Sequence, residues 1–168
     1  KKRALEAARL VGLDEKLLAK SPFDLSGGEK RRVAIAGIIA MQPEVLVLDE
    51  PTAGLDPVGR DTVLSMIKEY RASTGAAVII VSHSMEDMAK TADKLLVMNS
   101  GRLCMFDTVK NVFSHAKELE EIGLDIPEVT KIASKLADNG LPVDRSIYTV
   151  EALLGAILSI KKGGAINA

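Results

Sequence analysis

The chain contains the run Val45-Leu46-Val47-Leu48-Asp49-Glu50, in which four aliphatic residues are followed directly by two acids. A short, continuous apolar run of this kind predicts a β-strand covered on both faces, as in a parallel sheet. Ligand sites of open α/β sheets lie at the carboxyl ends of such strands. We therefore expect Asp49 and Glu50 at a functional edge of a sheet; the alternative is that they are two solvated acids ending a strand.

The two acids suit different chemistry. Asp49 continues the strand and offers the carboxylate oxygen that a hard cation such as Mg²⁺ prefers. Glu50 is one residue further on and is expected to point elsewhere, where it could activate a water molecule as a general base.

Helices and strands alternate around this run, which predicts an α/β fold with a mainly parallel sheet. Further strands are predicted at Ala77–Val81, at Leu95–Met98 and near Leu103–Met105. After about Thr108 the strand signal disappears and only short helices are predicted. We therefore divide the chain into an α/β part, residues 1–108, and a helical extension, residues 109–168.

Two further positions could carry chemistry. Ser26-Gly27-Gly28 precedes a predicted helix, where a hydroxyl and free backbone amides form an anion site; the alternative is a simple N-cap with a flexible approach. His83 follows the strand Ala77–Val81 and so is placed at the carboxyl edge of the sheet. His115 has no such context and is expected on the surface.

Composition excludes several classes of protein. The 168 residues are 47% hydrophobic with a formal net charge of −1, which argues against a disordered or strongly nucleic-acid-binding chain. Aromatic residues make up only 3%, so few side chains could stack on bases. The longest apolar run, Val33–Met41, is far shorter than the roughly 20 residues that cross a bilayer. The single cysteine, Cys104, is expected to be a small buried residue.

Taken together, the motifs resemble the nucleotide-binding subunits of ABC transporters. Leu25-Ser26-Gly27-Gly28-Glu29 matches the signature, and Leu46–Thr52 matches the Walker B strand with its catalytic glutamate. Ala53-Gly54-Leu55-Asp56 matches the D-loop, and His83 matches the switch histidine. The resemblance covers about residues 1–108 and implies the C-terminal part of a P-loop NTPase domain. The sequence after the Walker B strand and the run Tyr148-Thr149-Val150-Glu151-Ala152 look like energy-coupling-factor ATPases, which power vitamin and cobalt or nickel importers.

The resemblance implies a role for each motif. Ser26, Gly27 and Gly28 would contact the γ-phosphate of ATP held by a second ATPase subunit, identical or paralogous, in a head-to-tail dimer. Asp49 would hold Mg²⁺ through water, and Glu50 would polarise the attacking water. His83 would steady the γ-phosphate and Asp56 would communicate across the dimer. The dimer would sit on transmembrane transporter subunits at the cytoplasmic face of the membrane.

The chain departs from the family in two respects. It contains no Gly-Lys pair and therefore no Walker A loop, whose amides and lysine cradle the phosphates. Its only glutamine, Gln42, follows the signature, so the family's Q-loop is absent too. We expect the C-terminal portion of an ATPase subunit, inactive in isolation, with the Walker A portion missing from this chain.

Two alternatives stay open. One is the ATPase lobe of a DNA-repair or chromosome-maintenance protein, although such a lobe should follow a long heptad coiled coil that residues 1–24 do not show. The other is a catalytically inactive dimerisation fragment, against which the presence of both Glu50 and His83 argues.

Overall fold

A computed structural model describes residues 2–162, which form two compact units, one ending at Ser82 and one beginning at His83. The first unit contains three α-helices, two short 3₁₀ helices and two strands. In chain order these are α1 (Lys2–Leu10), the 3₁₀ helices Glu15–Ala19 and Pro22–Asp24, α2 (Gly27–Ile39), β1 (Val45–Asp49), α3 (Pro57–Thr74) and β2 (Ala77–Val81).

Local capping chemistry sets the ends of the longest helix. Asp56 caps the start of α3, where its Oδ1 accepts a hydrogen bond of 2.7 Å from the Gly59 backbone N–H, and Pro57 occupies the first turn. Gly75 ends the same helix in the left-handed conformation, φ 71°, which glycine adopts without a steric penalty. Asp56 and Pro57 are therefore the N-cap and the first residue of α3.

The strands β1 and β2 pair in parallel, with Val45 opposite Ala77 and Asp49 opposite Val81. One face of this pair is packed: Leu46 is 1% exposed and belongs to a core that includes Ile67 and Tyr70 of α3. The predicted parallel pairing is therefore confirmed.

The prediction that these strands are covered on both faces is wrong for the described residues. Val47 of β1 is 58% exposed, and Ile79, its register partner on β2, is 52% exposed. The helices of this unit pack against the Leu46 face of the pair, and the opposite face remains apolar and open.

The second unit begins with a short helix and a hairpin, which are α4 (Met85–Thr91), β3 (Lys94–Asn99) and β4 (Arg102–Thr108). The two strands pair antiparallel through a turn in which Ser100 and Gly101 both have positive φ, 51° and 76°, as a two-residue type I′ turn requires. The α/β class holds, although these later strands form a hairpin of their own. Cys104 lies exposed on β4, so its expected burial is wrong.

Four helices complete the second unit: α5 (Val109–Ser114), α6 (Ala116–Glu121), α7 (Glu128–Asp138) and α8 (Val150–Lys162). Ala133 of α7 and Leu153 of α8 share a small apolar core. No helix among residues 2–162 is long and apolar enough to cross a membrane. The predicted domain boundary after residue 108 falls where β4 passes into α5, inside this unit, and stays a prediction.

Candidate functional site

The signature segment forms the N-terminus of α2. Ser26 is the N-cap, and its backbone N–H and hydroxyl both donate to Oε2 of Glu29 at 2.7 Å, while the Glu29 N–H donates to the Ser26 hydroxyl at 3.3 Å. This reciprocal capping box fixes where the helix begins. The hydrogen bonds from the Ser26 hydroxyl and backbone hold the pKa of Glu29 below its usual value. The carboxylate therefore stays ionised at neutral pH.

The two glycines of the segment have no packing reason to be glycine in this chain. A Cβ added at Gly27 would meet no atom within 4 Å, and one added at Gly28 would reach only Leu55 Cδ2 at 4.0 Å. Glycine inside a helix costs roughly 0.5–1 kcal/mol relative to alanine, so it is not selected for helix stability. Because Gly27 and Gly28 have no side chains, the backbone at the N-terminus of α2 is accessible to a ligand or partner molecule.

A groove joins this N-terminus to the start of α3. It has a volume of about 350 Å³, and its lining includes Ser26, Gly28 and Asp56. The structure thus brings together the predicted signature and D-loop residues, which are 28 positions apart between Gly28 and Asp56. Asp56 also serves its own helix, since one of its oxygens caps α3.

The two acids lie at the carboxyl end of β1, as predicted. Asp49 is the last residue of the strand and is exposed. Glu50 has φ 45°, a left-handed conformation that is uncommon for a residue with a side chain. Its backbone N–H donates to the Val81 carbonyl at 2.8 Å, and its Oε2 accepts from the Ser82 hydroxyl at 3.3 Å. The carboxylate of Glu50 is therefore half-buried and oriented by the end of β2.

Sequence reasoning missed Arg31, which connects α2 to these acids. Its Nε donates to the Pro51 carbonyl at 3.0 Å, and its Nη2 donates to the Asp49 carbonyl at 3.3 Å and to the Glu50 carbonyl. These partners are 18 to 20 residues away in sequence, so no local pattern could have revealed them.

The histidines have different settings. His83 lies exposed between the end of β2 and Ser84, whose hydroxyl caps α4 by accepting from the Asp87 N–H at 3.3 Å. It is the first residue of the second unit, and its predicted role stays a prediction. His115 is exposed on the surface, where its Nδ1 lies 2.8 Å from Glu118 Oε1, as expected for a residue without a site.

Among residues 2–162, no group of three or more histidine, cysteine or acidic side chains could enclose a metal ion. Mg²⁺ does not require such a cage, because it is usually held by one or two carboxylates together with phosphate oxygens and water. The exposed carboxylate of Asp49, at the end of β1, fits this kind of shared site.

Sequence similarity to known proteins identifies the family of this chain. The family model described as ABC transporter matches residues 1–53. The energy-coupling factor transporter ATP-binding protein EcfA2 of Caldanaerobacter subterraneus subsp. tengcongensis is 48% identical over 163 residues, which is 97% of this chain and 57% of that protein. EcfA2 of Clostridioides difficile is 51% identical over 164 residues, 96% of this chain and 56% of that protein. The chain contains part of an ABC transporter ATPase domain.

Solved structures place the fold in the same family. The structure of cbiO1 from Clostridium perfringens, part of the ABC transporter complex cbiONQ, superposes with a TM-score of 0.64 at 34% identity, covering 81% of this chain and 53% of that one. MJ0796, a bacterial ABC transporter cassette solved as a dimer, gives 0.57 at 29% identity over 64% of this chain and 46% of that one. This portion of the ATPase domain spans about half the length of the curated relatives it matches.

Proposed function

We propose that the chain is the C-terminal portion of a subunit that hydrolyses ATP to power import through an energy-coupling-factor type ABC transporter. The complete subunit would pair with a second ATPase subunit and bind transmembrane partners at the cytoplasmic face of the membrane. The phosphate-cradling Walker A loop would come from residues outside these 168, so the isolated chain is expected to show no ATP hydrolysis. The names of the relatives favour this function over that of a DNA-repair lobe.

In this proposal the signature segment acts on ATP that is bound by the partner subunit. The backbone amides at the start of α2 and the Ser26 hydroxyl would face the γ-phosphate, where a helix N-terminus favours negative charge. Gly27 and Gly28 would allow the backbone to approach the phosphate closely. The groove beside them, with Asp56 in its lining, would communicate with the partner across the dimer.

Hydrolysis itself would depend on Glu50. Its half-buried carboxylate, which accepts from Ser82, would take a proton from the water that attacks the γ-phosphate. His83 would steady the γ-phosphate. Asp49 would hold Mg²⁺ through water, and the ion would supply positive charge to the phosphates.

The observation that carries the proposal is that the helix α2 is connected to both motifs. The helix α2 presents the open Ser26–Gly28 terminus at its start, and through Arg31 it also holds the backbone that bears Glu50. If Asp49 and Glu50 were only solvated acids and α2 only a capped helix, neither the free space around Gly27 and Gly28 nor the hydrogen bonds from Arg31 would be needed.

Replacing Ser26 with arginine in the complete subunit is expected to abolish its ATP-dependent dimerisation. The large side chain would occupy the space in which the α2 terminus must approach the partner's phosphate, and it would also remove the hydroxyl that caps the helix. Light scattering coupled to size-exclusion chromatography, with and without non-hydrolysable ATP, measures the dimer.

The matched control is Ala34→Arg, which adds the same side chain at an exposed position of α2, away from the helix terminus. This variant is expected to dimerise normally. If the Ser26→Arg protein formed the ATP-dependent dimer as well as the control does, the placement of the signature against the partner's nucleotide would be wrong.

A further inference from the structure

Arg31 donates hydrogen bonds to three consecutive backbone carbonyl groups at the end of β1. Its guanidinium is half-buried and donates to the carbonyls of Asp49, Glu50 and Pro51, with distances of 3.3 Å to the Asp49 oxygen and 3.0 Å to the Pro51 oxygen. Arginine suits this task because its planar group presents several N–H donors in a fixed fork, whereas lysine offers a single compact ammonium.

The peptide that Arg31 holds is in a demanding conformation. Glu50 has φ 45°, and a side-chain-bearing residue persists in this region only where its surroundings over-determine the backbone. The Glu50 carbonyl also accepts from the Ala53 N–H at 3.2 Å, so the chain turns sharply directly after the residue. The direction of the Glu50 side chain therefore depends on the contacts that hold this turn.

The same arginine ties the turn to the signature helix. Arg31 lies on α2 five residues after Ser26, so a displacement of the helix moves the guanidinium and the three carbonyls together. A misplacement of about 1 Å at a reacting group can cost about 100-fold in rate. The position of Glu50 is thus linked mechanically to the helix whose terminus is proposed to face the other nucleotide of the dimer.

We propose that Arg31 is a positioning residue for hydrolysis, which holds the Glu50 backbone in its left-handed turn and couples the aim of the Glu50 carboxylate to the signature helix. The inference rests on the proposed function, because it assigns Arg31 an effect through the catalytic glutamate. In this proposal Arg31 would contact neither the nucleotide nor the attacking water, because its guanidinium donates to the three backbone carbonyls.

The test uses the complete subunit assembled with its partner ATPase, and it measures steady-state ATP hydrolysis. Arg31→Gln is expected to lower kcat by about 10-fold or more while KM for ATP changes less than about 2-fold, because the phosphates are bound elsewhere. The kcat of Arg31→Lys should lie between those of the unmodified subunit and Arg31→Gln, since an ammonium can reach fewer of the three carbonyls. Arg9→Gln is the matched control, because Arg9 is exposed on α1 and pairs only with Glu15 in the contacts described, at 2.7 Å.

A combination with Glu50→Gln separates positioning from a general structural effect. If Arg31 acts through Glu50, adding Arg31→Gln to Glu50→Gln should lower the residual rate by less than about 2-fold, since the two changes remove one function. Multiplicative losses would overturn the inference, and so would an unchanged kcat in Arg31→Gln or a rise in KM alone. If Arg31→Gln fails to fold, Arg31→Lys decides by the same criteria.

The outcome for Glu50→Gln alone distinguishes the two levels of the proposal. Loss of hydrolysis in Glu50→Gln with normal hydrolysis in Arg31→Gln rejects the role of Arg31 and keeps the proposed function. Normal hydrolysis in Glu50→Gln rejects the proposed function, and the positioning role falls with it.

Discussion

Replacing Glu50 with glutamine in the complete subunit is expected to lower ATP turnover by about 10²–10⁴-fold, the range in which a general base contributes. Glutamine has nearly the same shape, and its amide oxygen can still accept the hydrogen bond from Ser82. The amide cannot take a proton from water, so the chemical step is lost while the fold is kept. ATP binding should survive, because other residues are proposed to hold the phosphates. Steady-state hydrolysis and equilibrium nucleotide binding, measured on the same preparation, check both expectations.

Glu44→Gln is the matched control for this experiment. Glu44 is an exposed carboxylate directly before β1, at the opposite end of the strand from Glu50, and the same neutralisation there should leave turnover unchanged. Near-normal hydrolysis in the Glu50→Gln protein would remove Glu50 from the role of general base. Loss of activity in both variants would point to a shared effect on the strand.

The features that sequence reasoning predicted well are set by neighbouring residues. The strand Ala77–Val81 has the predicted bounds, since an apolar run determines a strand over a few positions. Local sequence patterns also predicted correctly that Glu50 follows β1 and that Ser26 precedes α2.

The features that sequence reasoning missed depend on contacts between residues that are distant in the chain. Arg31 looks like one of several basic residues on a helix, and only the tertiary fold brings it to the Glu50 carbonyl. A run of aliphatic residues likewise does not reveal which face of the strand packs against the rest of the fold.

The parallel pair of the first unit has one open apolar face. Val47 and Ile79 are register partners on the parallel pair, and Val45 and Val81 extend the same exposed surface along the strands. Among the described residues the pair consists of two strands only, so each strand also has an edge without a neighbouring strand. An apolar face beside open edges is a template for pairing with another chain. The isolated 168-residue chain is therefore expected to self-associate and not to behave as a stable monomer.

Two paired substitutions test the origin of this self-association. Val47→Lys with Ile79→Glu places opposite charges directly across the strands on the exposed face, which should favour monomer and leave the fold intact. Leu46→Lys with Val78→Glu makes the same change at the next register pair, where Leu46 belongs to the core. Loss of a buried leucine alone costs about 2–5 kcal/mol, a large part of the about 5–15 kcal/mol that holds a domain together, so this second pair should unfold the unit. Size-exclusion chromatography with light scattering and circular dichroism distinguishes the two results. A wild-type chain that stays monomeric at all concentrations, with a sharp cooperative melt, would show that the open face does not drive association.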